Sequence, residues 1–336
     1  MSPVAISGSG LAELTCAWLL LGRGHRIRLV APGPGAGPRP LLLTGPTLEL
    51  LRSVWGDGLL DDAWELTHRR VRWGDGARPT RFAQAGRVVD GALLAARMRE
   101  RLGARPTPDT GGPARWRVTA QAVDGAPPAH HAVGRRRLLA GTAPLREGRD
   151  ERTAVLDTTG LGWVQITPLG AGDCLVQAMV PGPVEDPAGL LARLLAESAA
   201  GDVLRRPPGT VAAIPAAPRL HLAPALEPTN ESPSGVLTVG AGAIRYDPLS
   251  GTGTAQALRT AVLAAAVIDA DAGGTPVAAL CRHYTARLRA AFAEHLAACA
   301  ELYCSAFASS AWQDELDAAR LGPRTAGRPV GVGGPA

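Results

Sequence analysis

Val4-Ala5-Ile6-Ser7 is a short apolar run that leads straight into Gly8-Ser9-Gly10, and this opening constrains the fold more than any other feature. From Leu11 to Leu21 the apolar residues recur at helical spacing. Gly22 and Gly24 end that pattern, and His25–Val30 alternates as a second strand. Strand, glycine turn, helix and strand within the first 30 residues predict a βαβ unit. Such a turn aims backbone N–H groups and the positive end of a helix at an anion, and its glycines let a pyrophosphate come close to the backbone. Gly8, Gly10, Leu11 and Ala12 are therefore candidate phosphate contacts. Two positions depart from the pattern. The third glycine place holds Glu13, and the second strand ends Val30-Ala31-Pro32, with no acidic residue to bind a ribose hydroxyl. For this motif alone, a βαβ turn that binds nothing stays open.

A second glycine-rich segment lies near the other end. Gly235–Val239 reads as a core strand and runs into Gly240-Ala241-Gly242-Ala243-Ile244-Arg245-Tyr246-Asp247-Pro248-Leu249-Ser250-Gly251-Thr252-Gly253, where a long Ala-rich helix, Thr254–Ala272, begins. This segment resembles the second flavin-binding signature of FAD-dependent monooxygenases, geranylgeranyl-reductase-like enzymes and flavin halogenases. There a strand leads to Gly-Asp-Ala and then to Asp-Pro-x-x-Gly-x-Gly at a helix start. The resemblance implies FAD as cofactor, with Gly240, Pro248, Gly251, Thr252, Gly253 and Thr254 as contacts and the helix N–H groups against the N1/O2 edge of the ring. The Asp of the Gly-Asp pair is Ala241 here. Together with Glu13 and Ala31, this puts three departures on the adenine–ribose–phosphate side, whereas the ring side is intact.

Arg39, Arg97 and the run Arg135-Arg136-Arg137 are candidate cations for the phosphates, and the run reads equally as a solvated strand edge. Asp124, in Ala122-Val123-Asp124-Gly125, matches a mid-chain Asp-Gly element of the same superfamily and fits a turn residue as well. Tyr246 and Asp247 are the candidates for contact with substrate or flavin; a packed aromatic and a helix N-cap are their plainer roles. Trp163, Gln165 and Gln177 are candidate pocket residues in the middle of the chain, with Trp163 reading more readily as core, and His283 and His295 read as surface or interface histidines.

The resemblance covers roughly residues 3–305. It implies an α/β fold with a Rossmann-like FAD-binding domain of the glutathione-reductase type, an inserted sheet-based substrate domain and C-terminal helices. The expected division is 1–137 with 235–305 for the cofactor, 138–234 for the cap, and a flexible tail at 321–336. The order of smaller motifs, among them Gly162-Trp163, Pro168-Leu169-Gly170 and Val176–Pro181, is similar to flavoproteins that mature quinone-cofactor amine oxidases, of the glycine oxidase maturase type. A monooxygenase acting on an indole or phenol, as a small molecule or in a peptide, is the function this implies. A separate flavin reductase is a possible electron source, because no second nucleotide fingerprint is visible. The alternative is a flavoprotein fold that serves as a binding or scaffold protein with weak or no FAD binding.

Composition narrows the field further. All 35 basic residues are Arg, so Schiff-base chemistry and P-loop nucleotide hydrolysis are excluded. Halogenation of the tryptophan type, which needs a lysine in the enzymes the chain resembles, is disfavoured. The net charge of +5 follows from an Arg-rich composition, and with three Phe and three Tyr little aromatic surface is left for bases, so no nucleic-acid partner is expected. The five cysteines are scattered without a C-x-x-C pair, which argues against zinc; Cys16 and Cys299 fall on apolar helical positions and read as core. Apolar runs are too short to span a bilayer, Pro3–Ser7 already reads as structure rather than as a leader, and a cytoplasmic setting is expected.

Overall fold

The computed structural model describes residues 3–30, 39–108, 114–120, 129–222 and 235–326. The opening unit forms as β1 (Val4–Ser7), α1 (Leu11–Gly22) and β2 (Ile27–Val30), with the two strands parallel. Val4, Ile6, Leu14, Cys16 and Leu20 are buried in one apolar cluster, which explains the unbroken hydrophobicity of β1. Next come β3 (Pro40–Thr44), α2 (Gly45–Trp55), β4 (Trp64–Arg72), β5 (Thr80–Asp90) and α3 (Gly91–Leu102). Asp90 caps α3, accepting from the N–H groups of Ala92 at 2.9 Å and Leu93 at 3.0 Å.

Short β6 (Thr107–Pro108), β7 (Trp116–Thr119) and β8 (Ala129–Ala132) precede the middle strands β9 (Arg137–Pro144), β10 (Thr153–Thr158), β11 (Trp163–Gly170) and β12 (Asp173–Val180). Then follow α4 (Pro187–Glu197), β13 (Ala212–Pro215), β14 (Arg219–Leu222), β15 (Gly235–Thr238) and β16 (Ile244–Arg245). Three helices close the chain: α5 (Gly253–Ala272), α6 (Val277–Cys304) and α7 (Ser310–Ala326).

Three sheets result. A parallel sheet has the order β15-β7-β1-β2-β6, an eight-stranded mixed sheet has the order β13-β9-β12-β11-β10-β4-β5-β3, and β16-β14-β8 form a small third sheet. The parallel sheet joins strands from the two ends of the chain, so β1 and β15 flank β7 and both run into glycine turns at the same sheet edge. The mixed sheet is two-faced. Alternate residues Val155, Val164, Ile166 and Val176 pack under α4, and Leu156, Trp163 and Met179 on the other face pack against α6 and α7.

Several sequence expectations need correction. Trp73 lies just past β4, and Phe82, Val88 and Val89 share the long strand β5. Arg, His and Gln on these half-open strands hide their alternation. The mixed sheet also takes β3–β5 from the first third of the chain and is not confined to residues 138–234. Pro40 and Pro108 stand in edge strands, where a missing N–H is tolerated. The segment from Leu321, expected as a loose tail, begins as the end of α7. There Gly322 is buried close to Leu296 and Val133, so it serves close helix packing. Residues 31–38, 121–128 and 327–336, with the expectations for Ala31 and Asp124, lie outside the described residues. Among the described residues no helix is long and apolar enough to cross a membrane.

Candidate functional site

The two glycine turns meet at the C-terminal edge of the parallel strands, where open α/β sheets place their ligands. Gly8 has φ +122° and Gly240 has φ +60°, both in the region that favours glycine. A Cβ on Gly240 would lie 3.0 Å from that of Ala12, and one on Gly242 would overlap the Ala120 carbonyl oxygen, so the turns pack directly on α1 and on the end of β7. The Gly240 N–H is already bound, donating to Thr260 Oγ1 at 2.8 Å. Ala12 is buried, Leu11 is half-buried and Ala241 is exposed.

Glu13 decides the state of the first turn. Its side chain folds back into the space that the glycines leave open: a Cβ on Gly8 would overlap Oε1, and one on Gly10 would come within 2.8 Å of Oε2. The residue is only 4% exposed. Burial pushes its carboxyl above the usual carboxylate value, against hydrogen bonds from its own N–H and that of Ala120. Gly10, the N-cap of α1, has no side chain to cap it, so Glu13 uses a first-turn donor that would otherwise face a ligand.

The second turn differs. Gly251 adopts φ +61°, and Gly251 and Gly253 are exposed with nothing within 4 Å of where a Cβ would lie. The N-cap of α5, Thr252, makes no side-chain cap bond, leaving the first-turn N–H groups of this helix outside its ladder. Thr254 is half-buried in the first turn. Ser250 fixes the loop by donating to the Asp247 carbonyl at 2.8 Å and meeting Thr252 Oγ1 at 2.9 Å. Pro248 and Leu249 carry it over Asp247, whose Oδ1 accepts from the Leu249 N–H at 2.9 Å. This loop has room and donors for a planar anionic ring edge, whereas the first turn, as it stands, has no room for a phosphate.

A buried charge cluster lies beneath the loop. Arg136, 1% exposed, places Nε 3.1 Å from Asp247 Oδ2 and Nη1 3.3 Å from Glu315 Oε2 on α7. Nε, Oδ2 and Oε2 have no well-aligned hydrogen bond, so charge pairing rather than directed bonding holds the triad. Tyr303 donates to Asp247 Oδ1 at 2.9 Å and accepts from Trp163 Nε1 at 3.0 Å. Burial pushes the carboxyls of Asp247 and Glu315 up, with Arg136 pulling the other way. For Arg136 itself burial acts downward, but Asp247, Tyr303 and Glu315 outweigh it and raise the guanidinium.

Arg136 is therefore neither a phosphate cation nor part of a solvated strand edge; it lies just before β9 and turns inward beside exposed Arg135. Arg97 is likewise occupied, by Asp62 and by the Leu59 carbonyl. Arg39 remains exposed at the start of β3, its N–H donating to Asp90 Oδ2 at 2.6 Å.

His295 needs correction too. It is buried, stacked on Tyr246 with centroids 3.9 Å apart, and its Nε2 accepts from the Asp247 N–H at 2.8 Å. Accepting there requires a neutral ring, and burial with nearby Arg136 lowers its pKa to about 4. Tyr246 is half-buried and donates to the Ala291 carbonyl at 3.1 Å. The side chains of Tyr246 and Asp247 are thus both engaged inside the protein, the first against α6 and the second in the triad. His283 is exposed, as its sequence suggests.

Gln165 and Gln177 face each other across β11 and β12, on the same face as Trp163, and Arg69 donates to Gln165 Oε1 at 3.2 Å. Sequence reasoning did not single out Arg69, Glu315 or α7, because only the assembled sheet and helices bring them here.

Together, the parallel sheet, its two glycine turns and the covering mixed sheet have the architecture of FAD-dependent monooxygenases and halogenases. No protein-family model matches the chain, and no curated protein matches it. Among solved structures, it is similar to the myxobacterial chondrochloren halogenase CndH, at 17% identity and TM-score 0.73 over 94% of this chain and 85% of that one. The peptidyl tryptophan dihydroxylase QhpG matches at 20% identity and TM-score 0.71, over 90% of this chain and 75% of that one. Klebsiella pneumoniae HpxO complexed with FAD and uric acid matches at 16% identity and TM-score 0.67, over 96% and 93%.

Proposed function

We propose that this chain is an FAD-dependent oxidoreductase, a monooxygenase acting on an indole or phenol ring, free or within a peptide. The observation that carries the reading is the ring-side loop, where Gly251 and Gly253 face open space at the uncapped start of α5. Support comes also from the neighbours, of which HpxO is complexed with FAD and uric acid and QhpG is a peptidyl tryptophan dihydroxylase. In this reading Pro248, Gly251, Thr252, Gly253 and Thr254 hold the ring edge. Gly8, Gly10, Leu11, Ala12 and Gly240 face the phosphates, and Arg39 serves an outer part of the cofactor, while Asp124 stays a candidate contact on its motif alone. Bound FAD would supply the redox chemistry, and the chain would position the substrate and exclude water.

The first-turn N–H groups of α5 stabilise negative charge at the ring edge. Asp247 and Tyr246 act as positioning residues, because their side chains brace the loop from below. Gln165, Gln177 and Arg69 offer hydrogen bonds to a polar substituent of the substrate, whereas Trp163 beside them is a buried core residue. The parallel-sheet part carries the cofactor and the mixed sheet covers it. Without lysine, hydroxylation is favoured over halogenation of the tryptophan type. Electrons come from a separate flavin reductase.

One observation favours a second reading, a scaffold without redox activity: the filled phosphate turn at Glu13. Oxygen uptake by FAD-loaded protein, supplied with NADH and a flavin reductase and offered indoles and phenols free and in peptides, separates the two. Substrate-dependent uptake with a hydroxylated product is expected. Uptake that no aromatic compound changes would favour the scaffold.

A further inference from the structure

The glycines of the first turn keep their spacing and their left-handed φ at Gly8, yet the space they clear is filled from within the chain. Glu13 sits in the first turn of α1, where negative charge interacts favourably with the helix dipole. Its carboxylate accepts from its own N–H and from that of Ala120, at the end of the strand between the two glycine turns. It therefore has what a bound phosphate would have: backbone donors, the positive helix end and burial. Thr260 likewise takes the N–H of Gly240 in the adjoining turn. The ring-side loop has no such internal occupant.

We infer that Glu13 is a resident anion that holds the dinucleotide turn closed, so that FAD enters only when this carboxylate is displaced. This rests on the flavin reading above and adds a specificity-determining residue to it. Two anions cannot share the turn, so every dinucleotide competes with a tethered carboxylate at high effective concentration. FAD is then loosely held and exchangeable, in keeping with a protein that takes flavin up from a separate source. Ligands that reach only the ring-side loop escape the competition.

The test is a fluorescence titration of FAD with the full chain as wild type, E13A and E13Q. Circular dichroism melts establish that each variant is folded. The E13A protein is expected to bind FAD about tenfold or more tightly than wild type. E13Q, which keeps the bulk and removes the charge, should shift in the same direction by less, and it carries the test if E13A does not fold. Equal affinity in all three proteins would overturn the inference and leave the flavin reading standing. Failure of every variant to bind FAD would overturn the flavin reading, and the inference with it.

Discussion

Arg136 has two carboxylates for company and almost no solvent, a balance that fails sharply when one member is removed. Replacing it with Met leaves Asp247 and Glu315 buried together without a cation, and the expected loss is about 3–5 kcal/mol in a urea titration. Its exposed neighbour Arg135 replaced with Ala should stay within about 0.5 kcal/mol. His295 gives a pH signature. Its pKa falls from 6.5 to about 4 on folding, so between those values the unfolded chain binds more protons, and its contribution to stability is lost as pH falls through that window. The raised carboxyls of Asp247 and Glu315 act in the opposite sense, so the comparison with H295Q isolates the imidazole. Wild type should lose more stability than H295Q between pH 7 and pH 5. Of these residues, Glu13 was recognisable in the sequence as a departure from a motif, but where its carboxylate goes was not. His295 and Arg136 were misread because inward or outward orientation depends on partners distant in the chain.

At the scale of elements, α7 is the part that composition conceals. Its Gly-Pro-Arg ending resembles a loose tail, yet Trp312 on it is 0% exposed and stacks on Phe307 at 4.3 Å and Tyr303 at 4.9 Å. Through this aromatic stack, with Trp163 and Leu249, the helix joins the inner face of the mixed sheet to the ring-side loop. Trp312→Ala should cost about 3–5 kcal/mol by thermal or chemical melt. Because Glu315 and Trp312 share the helix, the loop beneath Gly251 should also become less protected in amide hydrogen exchange. The opening βαβ unit and the strand and long Ala-rich helix around the second glycine turn were readable because each rests on local periodicity and local breakers. The hairpin β4–β5 was not, since its arginines blur the alternation.

For the whole molecule, the defining event is the meeting of two turns from opposite ends of the chain across β7. Each turn was visible in the sequence as a glycine pattern; their contact, and the asymmetry between a first turn filled by Glu13 and an open turn at Gly251–Gly253, belongs to the assembled fold. The account predicts a flavoprotein whose hold on its cofactor is limited at one end. The most direct test is the visible spectrum of wild-type protein and E13A after loading with excess FAD and gel filtration. Flavin bands eluting with the protein, weaker in wild type than in E13A, are predicted; two colourless proteins would contradict the account.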